Sequence, residues 1–182
     1  LYHDLKNHML VSNYDSSYLE KAKDAILKFE KVFDTGCDIL NILLWEKNNE
    51  AEKMDIGFEC VVDNVDLSFM DDMDVCSLIG NILDNAIEAS QELLDTKKPS
   101  ISIKIGNINN FIIIKTRNEC ISCSRKKLKE NIFETTKDIK KMHGIGLSSV
   151  KKVVEKYDGH CEFDMEGEVF TAEILIPYPI KQ

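Results

Sequence analysis

The chain contains no run of about twenty apolar residues, so no stretch of it reads as a membrane span. No stretch has the basic, apolar and small-residue order of a signal peptide. A basic excess is also missing. The net charge is −9, which argues against a nucleic-acid binder, since that would want a basic face. A second cysteine pair is missing too. Cysteines stand at 37, 60, 76, 120, 123 and 161, and only Cys120 and Cys123 have CxxC spacing. A structural zinc needs a matching pair, so these read as free thiols in a reduced, cytosolic chain. There is no internal repeat and no low-complexity segment.

What is present is ordinary globular material. At 182 residues and 43% hydrophobic, the chain suits one domain with an appendage, or two small domains. It opens on Leu1-Tyr2 rather than Met, just before the His3-Asp4 pair, which leads us to expect a fragment whose upstream part is missing. The charge is unevenly spread. From Arg125 to Lys141 there are seven Lys/Arg and three Asp/Glu, a local +4. Such a segment is a solvated face or a local anion site.

The apolar spacing predicts a helix tail over 1–12, a turn at Asn13–Ser17 and a helix over 18–33 through Leu19, Ala22, Ile26, Phe29 and Phe33. A further helix is expected from about Cys37 to Met54. The period then changes. Gly57–Val62 and Val65–Phe69 read as short strands, followed by a helix from Asp71 or Asp72 to about Leu94. Ile101–Ile105 alternates as a half-buried strand should, with a turn at Asn107–Asn110 and a partner strand at Phe111–Thr116. Residues 118–143 read as a long lid, Leu147–Tyr157 as a helix stopped by Gly159, and Cys161–Met165 with Val169–Ile176 as a terminal hairpin. The expected fold class is α+β: a two-layer α/β sandwich whose mixed sheet is covered by helices on one face. A helical region over 1–53 precedes a domain over 54–182.

Three pieces carry chemistry. On the helix around 71–94, Asn81 and Asn85 lie one turn apart, with Glu88 and Glu92 continuing their face. Asn is a poor helix former because its amide competes for backbone hydrogen bonds. Two of them stacked in an apolar helix need a reason, which is either solvent exposure or a ligand. Their oxygens are neutral hard ligands suited to Mg²⁺, which takes few protein ligands beside phosphate and water. Second, His143-Gly144-Ile145-Gly146-Leu147 opens a helix, where backbone N–H groups and the helix dipole favour a phosphate. Alone this is weak, but paired with the Asn helix it points to a Mg-nucleotide site between two helices. Thr135, Thr136 and Lys137 add hydroxyls and a cation from the lid, and His143 can orient the glycine turn. Third, His3 can attack a γ-phosphate through one ring nitrogen if the other keeps its proton, with Asp4 or Asn7 orienting the ring.

These residues resemble the sensor histidine kinases, in particular the branch of Agr-type quorum-sensing kinases and their clostridial relatives. His3-Asp4-Leu5-Lys6-Asn7-His8 is similar to the phosphoacceptor box of that branch, Asn81-Ile-Leu-Asp-Asn85-Ala-Ile-Glu-Ala89 to its N box, and His143-Gly-Ile-Gly-Leu147 to its glycine box. The segment from Thr35-Gly36 through Leu40-Asn41-Ile42-Leu43 and Glu46-Lys47 to Ala51 resembles its linker helix. The resemblance implies a GHKL (Bergerat-type) ATP-binding sandwich behind a truncated helical dimerisation and phosphotransfer region. It implies ATP and Mg²⁺ as cofactors, a response regulator as partner, a homodimer in the full-length protein, and a place on the cytoplasmic side of a bacterial membrane through a missing sensor region. Most relatives carry an Asp-x-Gly-x-Gly box that binds adenine. Here Arg117-Asn118-Glu119-Cys120 stands there without glycine, and the resemblance implies Asn118 for the adenine contact.

Related ATPases use a Glu at the position of Asn81 to activate water, and an amide cannot act as that base. Transfer to a side chain is therefore expected over hydrolysis. Two other readings compete. One is a phosphorelay phosphotransferase on a degenerate kinase fold that binds no ATP, which Mg-ATP binding discriminates. The other is an anti-sigma-type Ser kinase, which would lack the His-Asp box.

Overall fold

The computed structural model describes residues 35–121 and 144–179. The helices expected over 1–12 and 18–33, His3, Asp4 and Asn7 lie outside the described residues, as do Thr135, Thr136, Lys137, His143 and Cys123. Packing divides the chain between 33 and 34, and everything below concerns the unit that starts at Asp34. That unit begins before the boundary expected at 54.

Its elements run α1 (Asp38–Lys53), β1 (Gly57–Val62), α2 (Asp72–Gln91), β2 (Ser100–Ile108), β3 (Phe111–Glu119), α3 (Gly144–Lys156), β4 (His160–Glu166) and β5 (Val169–Pro177). The five strands form one sheet in the order β1-β2-β3-β5-β4. β1 pairs with β2 in parallel, and every other pairing is antiparallel. A parallel pair needs a crossover connection, and α2 is that crossover.

Alternation decides which face is buried. Ile101, Ile103 and Ile105 on β2, Ile112, Ile114, Thr116 and Asn118 on β3, and Ala172, Ile174 and Ile176 on β5 all point into the core. The opposite face carries Lys104, Arg117 and the Lys115–Glu173 ion pair at 2.6 Å. The edge strand β4 turns Glu162, Asp164 and Glu166 outward on alternate positions, and Met165 inward.

The three helices cover the apolar face side by side. α1 lies against β1 and α2, α2 over β2 and β3, and α3 against β4 and β5. Being in the middle, α2 buries Val75, Leu78, Ile79, Ile82, Leu83, Ala86, Ile87 and Ser90, a wider stripe than a surface helix needs. Only a narrow strip that includes Asn81, Asp84, Asn85 and Glu88 stays half-buried. α1 contributes Leu40, Leu44 and Ala51, each fully buried. Its start is held by Thr35, whose hydroxyl donates to Asn41 Oδ1 at 2.9 Å and whose backbone N–H donates to the same oxygen at 3.1 Å.

Three local expectations are corrected. Val65–Phe69 is not a strand. Val65 and Leu67 are buried as strand residues would be, but there is no ladder: Val65 N–H donates to Thr35 O at 3.2 Å, and the bonds after it are local. Ser68 N–H donates to Asp66 Oδ1 at 3.0 Å and Met70 N–H to Leu67 O at 2.9 Å. β3 extends through Glu119, past the Thr116 end expected for it, and Cys120 N–H donates to Glu168 O at 2.9 Å. Gly159 does not supply the left-handed residue after α3, because Asp158 does, at φ 54°. Gly159 is instead a close approach, where a Cβ would stand 2.6 Å from Leu175 O.

Candidate nucleotide site

The site begins with what two amides do on α2. Asn81 Nδ2 donates back to Ser77 O at 2.6 Å, and Asn85 Nδ2 donates to Asn81 O at 2.6 Å. Each amino group is spent on the carbonyl one turn earlier. Each Oδ1 therefore faces away from the helix backbone, and neither accepts a hydrogen bond among the described residues. An amide has four hydrogen-bonding positions. Here Asn81 uses its amino group on Ser77 O and Oγ, Asn85 uses one donor on Asn81 O, and both acceptor oxygens are offered outward.

The first turn of α3 meets those oxygens. Gly144 is its first helical residue, and Gly146 lies within that turn. A Cβ on Gly146 would stand 2.8 Å from Asn85 Nδ2, 3.3 Å from Asn81 Oδ1 and 3.4 Å from Asn85 Oδ1. The first distance is shorter than carbon tolerates. Glycine at 146 lets the helix start approach the Asn face without displacing the Asn85 amide. Behind it, Val150 and Val154 are fully buried and fix α3 on the core. Two helix-borne amide oxygens now face the positive end of another helix. That arrangement suits a phosphate with its divalent cation. The amide oxygens also fit the metal itself, being neutral, hard and few.

Asn118 stands further along the same face. It is 3% exposed at the end of β3, and its Nδ2 donates to Glu119 O at 3.1 Å. Its Oδ1 has no partner among the described residues. The neighbouring end of α2 reaches the same carbonyl through Ser90 Oγ at 3.5 Å. Glu119 anchors this corner. It accepts from Lys97 Nζ at 3.1 Å and from Ser100 N–H at 3.0 Å. Thr116, 2% exposed and two residues before Asn118 on the same face, went unremarked in the sequence because its burial depends on the sheet.

Two further side-chain clusters depend on packing that the sequence does not reveal. Lys47 on α1 reaches Asp84 Oδ1 at 2.6 Å and Glu50 Oε2 at 2.8 Å. Burial works against its charge, but the hydrogen bonds to Asp84 and Glu50 outweigh it and raise its pKa above the ordinary lysine value. No local signal in the sequence pairs positions 47 and 84. At the far end of α2, Asp74 accepts from Tyr157 Oη at 2.6 Å, while Asp71 N–H donates to Tyr157 Oη at 2.9 Å. Lys156 adds ion pairs to Asp71 and Asp74. A shallow depression there is lined by Met70 to Asp74, and its carboxylates make it unsuited to a polyanion.

The structure thus brings Asn81, Asn85 and Gly146 together and buries Asn118 on the helix-covered face. The chain belongs to the GHKL domain family, whose match runs over residues 70–177. Its fold is that of histidine kinase catalytic domains. The catalytic domain of histidine kinase ThkA is similar over 77% of this chain and 95% of its own, at 26% identity and a TM-score of 0.60. The mycobacterial sensor histidine kinase MprB shares the fold at 18% identity and a TM-score of 0.54, over 78% of this chain and 96% of its own. The Acinetobacter baumannii histidine kinase AdeS shares it at 15% identity and a TM-score of 0.55, over 76% of this chain and 62% of its own. No curated protein matches the chain significantly. Among the described residues no helix is long and apolar enough to cross a membrane.

Proposed function

We propose that the chain is the cytoplasmic kinase core of a two-component sensor histidine kinase of the Agr-type branch. In this reading it binds Mg-ATP, moves the γ-phosphoryl group to His3, and passes it on to an aspartate of a response regulator. The observation that carries the reading is the pair of outward amide oxygens of Asn81 and Asn85, set against the start of α3 at Gly146.

The triphosphate lies against Gly144, Gly146 and Leu147, where N–H groups of the helix start meet its charge. Asn118 holds adenine through its unpaired amide oxygen. Asn85 and Asn81 would hold Mg²⁺, whose bound charge offsets that of the phosphates. Thr135, Thr136 and Lys137 contribute from the lid, and His143 steadies the glycine turn. One nitrogen of His3 attacks the γ-phosphorus, the bond to the bridging oxygen breaks, and ADP leaves with that electron pair. Asp4 or Asn7 accepts a hydrogen bond from the other ring nitrogen and fixes the tautomer. Positioning and charge neutralisation supply most of the rate in such transfers. The amide at Asn81 offers no base for activating water, which favours the protein acceptor. The helical region over 1–53 supplies the acceptor and, in the full-length protein, dimer contacts and the link to a membrane sensor.

Labelling with γ-phosphate-tagged ATP tests the reading. Wild type acquires acid-labile phosphate, His3→Gln acquires none, and Asn85→Ala loses labelling by about a hundredfold or more. Acid-stable label, or label retained in His3→Gln, overturns it.

A further inference from the structure

Asp84 is the one charged residue within the Asn81–Asn85 stretch. On a helix, positions three and four apart are surface neighbours, so its carboxylate has Asn81 one turn before it and Asn85 next along the chain. A free carboxylate there would stand beside a polyphosphate and repel it. It would also compete with the amides for a hard cation. The chain does not leave it free. Lys47 crosses from α1 and takes Asp84 Oδ1 at 2.6 Å. α1 and α3 flank α2 on opposite sides, so the ion pair draws Asp84 toward the flank away from Gly146. The lysine side chain is only 13% exposed and the Asp84 side chain 49%. The cation is built into the helix layer, and the carboxylate is the half that can swing. Lys47 also keeps Glu50 as a second partner at 2.8 Å, so it stays in place if Asp84 loses its charge. Asp84 has no second ion-pair partner among the described residues.

We propose that Lys47 is a positioning residue for the nucleotide site: it holds the Asp84 carboxylate against α1 and keeps it off the phosphate and metal seat formed by Asn81, Asn85 and Gly146. The inference rests on the Mg-nucleotide reading above. It makes the seat depend on α1, the helix through which the chain enters this unit. A lysine with a purely structural role would make a different prediction, because removing either partner would then cost the same packing.

Equilibrium titration of the full chain with Mg-ATP separates these cases. Lys47→Gln frees Asp84 and weakens Mg-ATP binding about fivefold or more. Lys47→Arg retains wild-type affinity. Asp84→Asn, which removes the offending charge, binds no more weakly than wild type. The double variant Lys47→Gln/Asp84→Asn regains the affinity to within about twofold, a coupling that only interacting residues show. In kinetics the loss in Lys47→Gln falls on KM for Mg-ATP rather than on kcat, and it shrinks as salt screens the charge. A double variant as weak as Lys47→Gln overturns the inference while leaving the nucleotide reading intact. So does an Asp84→Asn chain that binds fivefold more weakly, an outcome measurable even if Lys47→Gln fails to fold. A wild-type chain that binds no Mg-ATP overturns the nucleotide reading and this inference together.

Discussion

Asn85 is held by one residue and approached by another. Its Nδ2 is fixed on Asn81 O at 2.6 Å, and the missing side chain of Gly146 leaves the room in front of it. Gly146 is helical and its φ is not in the left-handed region, so alanine is acceptable to the backbone there. The cost of Gly146→Ala is therefore local. A Cβ 2.8 Å from Asn85 Nδ2 forces the amide to turn or α3 to retreat. Gly146→Ala should weaken Mg-ATP binding by about tenfold to a hundredfold, while the thermal melt stays near wild type. Calorimetric titration beside a melt separates the two, and an unchanged affinity would show that the Asn face is not the seat. The glycine and the amides were legible in the sequence because each is a poor choice for a helix. The partners that aim them were not. Ser77 is unremarkable in sequence, and Lys47 meets Asp84 only because α1 lies beside α2.

The elements were legible where one period ran unbroken. α2 carries its helical stripe so strongly that no strand reading competes, and β2 alternates strictly. The failures came where burial and backbone bonding part company. Val65 and Leu67 bury alternate side chains, as a strand would, yet Val65 N–H goes to Thr35 O and the residues after it close Asx and β-turn bonds rather than a ladder. The extension of β3 to Glu119 was hidden because Arg117, Asn118 and Glu119 are weak strand formers. Pairing with β2 and β5 overrides that preference. Between elements, the tie of α2 to α3 is electrostatic at one end. Hydrogen bonds from Lys156 and Tyr157 hold the Asp74 carboxyl below its ordinary value of 3.8. A carboxylate with a depressed folded pKa adds stability above its unfolded value and loses it as pH falls through the folded one. Thermal stability of the wild type should therefore drop on acidification below about pH 4 more steeply than that of Asp74→Asn. Melts recorded from neutral pH downward check this, and parallel curves for the two proteins would remove Asp74 from the tie.

At the scale of the whole unit, α1 belongs to the same packed body as the sheet, although the family match begins only at residue 70. Leu40, Leu44 and Ala51 are fully buried, and removing them uncovers the flank of α2 that carries Asp84. A chain restricted to residues 56–182 should be less stable in urea by about 4 kcal/mol or more, from the two leucines and the surface they cover. Equal stability would mean that α1 rests on the unit without supporting it. The mixed sheet has a consequence of its own. Its order leaves β4 at one end with half of its backbone groups unpaired by the sheet, a template onto which a stray strand could zip. Glu162, Asp164 and Glu166 stud that border at every second residue, and two copies laid border to border would bring like charges together. The acidity of the chain acts here as a safeguard. It opposes edge-to-edge pairing of an open-ended sheet, and replacing the three acids by threonine would invite fibrous growth from that border.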